Sequence, residues 1–563
     1  MTWFLPLAGG MGYSACMLLA GPPLGWWPLS LVALAPLVWG ALREGGRFWR
    51  DGLLATVGAV PLWAVTQSWV HEVSVMGYVP LVAALALCVG AFVALLGGVA
   101  RTMPRLALSL AVPALWTGLE FLRGEILCGG YAWGFVVHPL IDSPGAALMA
   151  SKGGVYLVSA FVAMLVGMAF DVRRARRATG RVQWLAVVTA FVMSVVFFVP
   201  DLRRPPAGRS VRVAVVQTNI PQSNKIAWTI EEELAAMARF EALTRDAAAQ
   251  RPALIVWPET MMPGLSLEPS ALAELRAKGL FFRVHEAAGE REVDADEFAK
   301  RLFALSREIG VPMLVGEEAW EGLRIRDGAD GIRFEKDHRF NSVYLVRGGA
   351  LGLERYDKMS LTPFGEVMPY VRHWPALQQQ LLDLAATGMA FDLSEGQRRA
   401  VFTIETSEGP IRAVTPICFE STSAGVCRTL AYDGGTPRTD LVVIVTNDGW
   451  FGDSDLARAQ HLQMARWRAA ELGVPVVRAA NTGISAVIDA RGRVVASGID
   501  SQPGAARVDG VLTAEVTLSD QPTFFARLGN AAGWFCLSGG VGLGIAAAHR
   551  RRVLARTSLA GPA

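Results

Sequence analysis

Not one charged residue occurs in the first 42 positions, and from Arg43 to Pro200 the charges fall mostly into short clusters separated by apolar runs of membrane-spanning length. The pattern predicts a multi-span helical membrane domain over 1–200. Seven spans are expected, near Trp3–Ala20, Trp27–Leu42, Leu53–Val70, Val79–Val99, Leu106–Leu122, Val155–Phe170 and Trp184–Val199, the sixth with room to begin earlier because Ala146–Ala150 is also apolar. The first run lacks the positive segment that opens a cleaved leader, so it is expected to stay as a span. An eighth span is expected at Gly533–Ala548, followed by His549-Arg550-Arg551-Arg552, so that 531–563 forms a final span with a cytoplasmic basic tail.

Between 201 and 530 the pattern changes. Short β-branched runs alternate with charged, helically spaced stretches, as in an α/β domain. Strands are expected at Val211–Val216, Leu254–Trp257, Met313–Val315, Ser342–Val346, Ile411–Ile417, Leu441–Thr446, Val474–Arg478 and Ser485–Ile488. Helices fit 229–249, 295–309 and 456–472, the last with Leu462, Ala465, Ala469 and Leu472 at helical spacing. The charged stretch Arg283–Lys300 reads as an exposed insertion.

Composition agrees with this division. With 563 residues, 52% of them hydrophobic and 18% charged, the chain is too long for one ordinary core and too apolar for a simple soluble protein. The formal charge of +3 is small and no long basic run is interleaved with aromatics, so nucleic acid is not an expected partner. Charge placement is more telling. Arg43/Arg47/Arg50, Arg101/Arg105, Arg173/Arg174/Arg176/Arg177/Arg181 and Arg550–Arg552 occupy alternate loops or the tail, which predicts that they face the cytoplasm and that 201–530 lies on the opposite side. The six cysteines (16, 88, 128, 418, 427 and 536) are scattered without a CxxC pair, and the seven histidines include no HExxH. Neither a disulfide framework nor a metal or other cofactor is expected.

Three residues stand where chemistry is favoured. Glu259 ends the apolar strand in Leu254-Ile-Val-Trp-Pro-Glu259, where Pro258 closes the ladder and leaves a carboxylate suited to a general base. Lys358 lies in the loop sequence Tyr356-Asp-Lys-Met-Ser-Leu-Thr-Pro-Phe-Gly-Glu366; a lysine held near a nucleophile stabilises an oxyanion. Cys418 follows Ile411–Ile417 and precedes what reads as a helix start, a setting that lowers a thiol pKa. Each also has a plainer reading: a surface carboxylate, a solvated loop amine, and a small buried apolar residue. Cys427, nine residues on, is expected to remain unpaired with Cys418, since one continuous helix would hold them about 13 Å apart at 1.5 Å per residue.

The order Glu, Lys, Cys, each at a strand's C-terminal end or in the next loop, resembles the nitrilase superfamily from about 211 to 515. The matching segments are Val215-Val-Gln-Thr-Asn219, Trp257-Pro-Glu259, Lys358 with Pro363-Phe-Gly-Glu366, Cys418-Phe-Glu420 and Asn447-Asp-Gly-Trp-Phe-Gly452. With Gln460-His-Leu-Gln-Met-Ala-Arg466 and the spans on either side, the chain is similar to the membrane-embedded apolipoprotein N-acyltransferase branch. The resemblance implies an α-β-β-α sandwich facing the periplasm from a bacterial inner membrane. It also implies acyl transfer from a phospholipid to the α-amino group of the S-diacylglyceryl-cysteine of an apolipoprotein, the last step of lipoprotein maturation. Carried across, Glu259 is the base, Cys418 the nucleophile that forms an acyl thioester, and Lys358 the oxyanion stabiliser. Glu366 and Glu420 match supporting acidic positions, and Trp228 and Trp450 are expected to line the lipid path. Two departures accompany the match: Phe419 stands where many relatives carry tyrosine, and the stretch from Glu259 to Lys358 is longer than typical.

Two other readings remain open from sequence. One is a membrane-tethered C–N hydrolase in which water resolves the acyl-enzyme. The other is a transporter or receptor with a non-catalytic external domain; its ionisable residues inside the membrane would mark a pathway, and here Glu120 and Lys152 are few and near predicted span ends.

Overall fold

In the computed structural model the apolar runs fold as helices. The structure describes residues 4–175, 188, 195–199, 208–221, 229–286, 289–328, 331–371, 374, 376, 380, 392–499, 506–519 and 521–559. They form two compact units, one comprising Met1–Arg203, Asp453–Glu471 and Thr523–Ala563, the other Arg204–Gly452 and Leu472–Pro522.

The first unit contains the helices Leu5–Ala20, Phe48–Thr66, Val75–Thr102, Leu108–Phe121, Ala146–Ala175 and Ala531–Leu559. Among the described residues, Val75–Thr102, Ala146–Arg174 and Ala531–Arg556 are long and apolar enough to cross a membrane. The second expected span is broken into a 3-10 turn, Trp27–Leu31, and a short helix, Ala35–Ala41, each with a proline in its first turn. The sixth begins at Ala146. The seventh, Trp184–Val199, lies outside the described residues except for 188 and 195–199. Small residues allow the helices to approach closely: a Cβ on Gly10 would come within 2.4 Å of Ala55 O and 2.9 Å of Gly58 Cα.

Arginines from separate stretches of the chain, Arg43 in a loop, Arg101 in the last turn of Val75–Thr102 and Arg551 in Ala531–Leu559, meet at one end of this unit. Arg43 and Arg101 both pair with the buried Asp51, at 2.8 and 3.1 Å, and Arg551 lies over the Phe48 ring at 4.1 Å. The helix Asp455–Leu472 joins the unit through Glu471, although it links two strands of the other. Trp133 Nε1 donates to Gln460 Oε1 at 2.8 Å, Trp467 Nε1 to the His138 carbonyl at 3.1 Å, and the Val155 N–H to Glu471 Oε1 at 2.6 Å. Its Arg458, His461, Arg468 and Glu471 are all buried.

The strands of the second unit run, in chain order, β1 Ser210–Gln217, β2 Leu254–Val256, β3 Phe281–Glu286, β4 Gly289–Asp294, β5 Met313–Glu321, β6 Arg324–Gly328, β7 Gly331–Glu335, β8 His338–Arg347 and β9 Ala350–Asp357. They continue as β10 Phe402–Ile404, β11 Ile411–Val414, β12 Tyr432–Asp433, β13 Thr436–Pro437, β14 Leu441–Thr446, β15 Val476–Ala480, β16 Ala486–Ile488, β17 Val494–Ser497 and β18 Gly510–Thr517. Two six-stranded sheets result, ordered β18-β1-β2-β5-β8-β9 and β10-β11-β14-β15-β16-β17. The central strands are parallel and the flanking ones antiparallel. β2, β14 and β15 are buried on both faces, which is why they read as unbroken apolar runs. The sheets are tied together by Ser485 Oγ donating to Gln217 Oε1 at 2.6 Å and Thr218 Oγ1 to Asn481 Oδ1 at 3.0 Å. The helices Ile230–Ala249, Pro269–Lys278 and Glu297–Ile309 pack on the first sheet, the first opened by a capping box between Thr229 and Glu232. This is the nitrilase-like sandwich expected from the sequence.

Two expectations need correction. β11 stops at Val414 and not at Ile417, because Pro416 has no N–H for the ladder, which resumes only as the single bridge Ile417 to Val445. The stretch Arg283–Lys300 is more than a solvated excursion. It holds most of the β3–β4 hairpin and the start of the helix Glu297–Ile309, and Val284, Val293, Asp296, Phe298 and Ala299 are buried.

Candidate active site

Each carboxylate, amine and thiol singled out above sits where a strand gives way to a turn. Glu259 follows β2, with Thr260 in the left-handed region at φ 40°. Lys358 follows β9 directly, and Cys418 itself has φ 48°, a conformation costly for a residue with a Cβ and characteristic of functional turns. The structure brings all three together in the second unit, where Glu259 and Lys358 are buried and Cys418 is half-buried.

Lys358 Nζ lies 2.7 Å from Glu366 Oε2 and 3.7 Å from Glu259 Oε1. Burial alone would lower the Lys358 pKa, but the carboxylates of Glu366 and Glu259 outweigh it and hold the amine charged, well above the ordinary lysine range. Burial likewise opposes the charge on Glu366, yet the ammonium of Lys358 wins and keeps that carboxyl below its usual range. Glu259 takes two further hydrogen bonds, from Asn341 Nδ2 at 2.7 Å on Oε1 and from the Asn447 N–H at 2.9 Å on Oε2.

The thiol differs from expectation. Cys418 opens a 3-10 turn, Cys418–Thr422, and not an α-helix; the helix starts only at Ala424. Burial, followed by the negative field of Glu259, pushes the thiol well above the ordinary cysteine range, with Lys358 and a hydrogen bond to Thr446 opposing weakly. This environment favours the protonated thiol over the thiolate. Cys427 forms no disulfide with Cys418, and its Sγ donates to the Glu420 carbonyl at 3.4 Å.

Glu420 is buried and acts as a clamp. Its Oε1 accepts from the Met359 and Ser360 N–H groups at 2.7 and 2.9 Å, its Oε2 from the Ile417 N–H at 2.8 Å, and both from Tyr356 Oη at 2.9 Å. The segment carrying Lys358 is thereby tied to the residue before Cys418. Phe419 and Trp450 are partly exposed, Trp450 within the 3-10 turn Asp448–Phe451, and Trp228 lies outside the described residues. Sequence reasoning missed Asn341, Thr446 and the fully buried Arg478–Asp448 ion pair at 2.7 Å behind Asn447. Only the Asn447-Asp448 segment gave a sign of itself, as part of a matched motif.

The family model for the apolipoprotein N-acyltransferase N-terminal domain matches residues 13–168, and that for carbon-nitrogen hydrolase matches residues 212–521. An apolipoprotein N-acyltransferase of Geobacter metallireducens is 29% identical over 95% of this chain and 94% of its own length. That of Azotobacter vinelandii is 32% identical over 87% of this chain and 85% of its own. The chain belongs to the apolipoprotein N-acyltransferase family. A solved amidase of the nitrilase superfamily from Nesterenkonia AN1 is also matched, at 17% identity over 56% of this chain and 93% of its own, with a TM-score of 0.33.

As a family member the chain has an N-acyltransferase's arrangement of an apolar helical unit and a carbon-nitrogen hydrolase domain, and it is a membrane protein. Glu366 is expected to matter by holding the Lys358 ammonium in place. Glu366→Ala should reduce turnover about tenfold to a hundredfold in correctly inserted protein, since an oxyanion donor is useful only when preorganised. Near-normal turnover in a phospholipid-to-lipopeptide acyl-transfer assay would show that Lys358 is positioned without it.

Proposed function

We propose that the protein transfers an acyl chain from a phospholipid to the α-amino group of the S-diacylglyceryl-cysteine of apolipoproteins, through an acyl thioester on Cys418. The observation that carries the reading is the union, in one chain matched over most of its length by named N-acyltransferases, of membrane-length apolar helices with a buried Glu–Lys–Cys site. Glu259 takes the thiol proton as the sulfur attacks the ester carbonyl, and Lys358 with a backbone N–H near Cys418 stabilises the oxyanion. The lyso-phospholipid leaves with the proton. The α-amine then attacks the thioester, Glu259 accepts its proton, and the sulfur departs and takes that proton back, restoring the thiol. A soluble amidase has no need of a membrane anchor, whereas two lipid substrates require the thiol near a bilayer, where holding both in one place removes much of the entropic barrier.

The proposed location is the bacterial inner membrane with the catalytic unit in the periplasm. Its support is the meeting of Arg43, Arg101 and Arg551 at one end of the helical unit, as cytoplasmic loops require. Mass spectrometry of lipoprotein N-termini from cells with and without the protein tests the function: an added acyl group is expected only when it is present. Reporter fusions near position 330 test the orientation, and a cytoplasmic signal would deny the enzyme its exported acceptors.

A further inference from the structure

Two carboxylates and one ammonium share the buried site, so the cluster carries an excess negative charge that must be held without a stray proton. Backbone N–H groups serve the outer oxygens, Asn447 on Glu259 Oε2 at 2.9 Å and Thr362 on Glu366 Oε2 at 2.8 Å. The other two oxygens, Glu366 Oε1 and Glu259 Oε1, lie 2.9 and 3.7 Å from Lys358 Nζ, and both also face one neutral side chain. Asn341 Nδ2 donates to the first at 2.7 Å and to the second at 3.3 Å. A primary amide has two N–H bonds on one nitrogen, one for each carboxylate, and no proton to lose.

The amide is fixed in this sense. Asn341 is buried within β8, paired with Glu318 of β5, and its backbone carbonyl accepts the backbone N–H of Lys358 at 2.8 Å. Its Oδ1 finds no hydrogen-bond partner among the described residues. Turning the amide over would set that oxygen against two carboxylates, so the unsatisfied acceptor is the lesser cost.

We propose that Asn341 is a positioning residue for both half-reactions: through one nitrogen it orients Glu259 and Glu366 side by side, and by its backbone carbonyl it sets the backbone of Lys358. The inference rests on the reading of Glu259 as base and Cys418 as nucleophile. The charged and titratable groups facing Asn341 are Glu259, Glu366 and Lys358, with Cys418 beyond them and Asp448 held by Arg478. Glu318, opposite on β5, is bound to Arg339.

The test uses the full chain in phospholipid nanodiscs, measuring thioester formation from phospholipid and its aminolysis by a diacylglyceryl lipopeptide across pH. Asn341→Asp replaces the donor with a third carboxylate. One proton is then shared in the cluster until higher pH, so the acidic limb of thioester formation should move upward by about one unit or more and activity should recover on the alkaline side. Asn341→Ser removes the bridge without adding charge; it should slow both half-reactions about tenfold or more, with the KM for phospholipid nearly unchanged, as a fraction of what a general base contributes. A loss in Asn341→Asp that is equal at every pH overturns the proposal, and so does a normal kcat in Asn341→Ser. Should Asn341→Asp fail to insert, Asn341→Ser decides alone. Cys418→Ala and Glu259→Gln run alongside: product from Cys418→Ala would defeat the underlying reading, whereas inactive references with an unshifted Asn341→Asp profile defeat only the role of Asn341.

Discussion

Incubated with phospholipid and no acceptor, the wild-type enzyme should gain the mass of one acyl chain, removable by hydroxylamine, and Cys418→Ala should gain none. The basis is the half-buried sulfur at a strained turn, with Glu259 and Lys358 close enough to shift its ionisation. Cys418→Ser should lose nearly all transfer, since an alkoxide is far harder to form than a thiolate in the same place. The resting thiol supplies a second measurement. Because burial and Glu259 raise its pKa, only a small thiolate fraction exists at neutral pH. Alkylation by iodoacetamide should be slow there and still be climbing beyond about pH 8.5, where an ordinary cysteine levels off. Turnover that needs both lipids bound at once, with no adduct by intact mass, would mean direct transfer and would remove Cys418 from the role of acyl carrier.

Glu259→Gln should be nearly as damaging. A thiol held protonated cannot attack unless its proton has somewhere to go, and the acceptor proposed here is the carboxylate fixed by Asn341 and Asn447. A loss of about 10²- to 10⁴-fold is expected, the usual contribution of a general base. The pH dependence carries the sign. In the variant the thiolate must come from solvent hydroxide, so the residual rate of thioester formation should rise with pH more steeply than that of the wild type. A residual rate that does not respond to pH would point to a base other than Glu259.

Much of this site was legible because its groups stand at strand ends within short motifs. Glu259 after Trp257-Pro258, Lys358 before Pro363-Phe-Gly-Glu366 and Cys418 after an apolar run each combine a local signal with a place in a known order. The state of the thiol was not legible. It depended on reading an α-helix directly after Cys418, where a 3-10 turn stands and burial dominates. Asn341 was hidden for another reason: its partner Glu259 is 82 positions away in sequence, and an asparagine in a strand carries no motif. β9 and β18 were missed because their exposure is mixed, which blurs the alternation that marks a half-buried strand. The broken second span follows from Pro28 and Pro36, visible in the sequence but overridden by the apolar run around them.

The helix Asp455–Leu472 has a practical consequence. The chain passes between its two units four times, after residues 203, 452, 471 and 522, and the third segment is a helix whose Ala457, Arg458, His461, Met464, Ala465, Trp467 and Arg468 are all covered. A water-soluble fragment cut from 201 to 530 would carry that helix away from the apolar partners that cover it, leaving a sticky surface with embedded charges as a seed for self-association. Inhibitor screens against this enzyme therefore call for the whole protein in detergent or lipid.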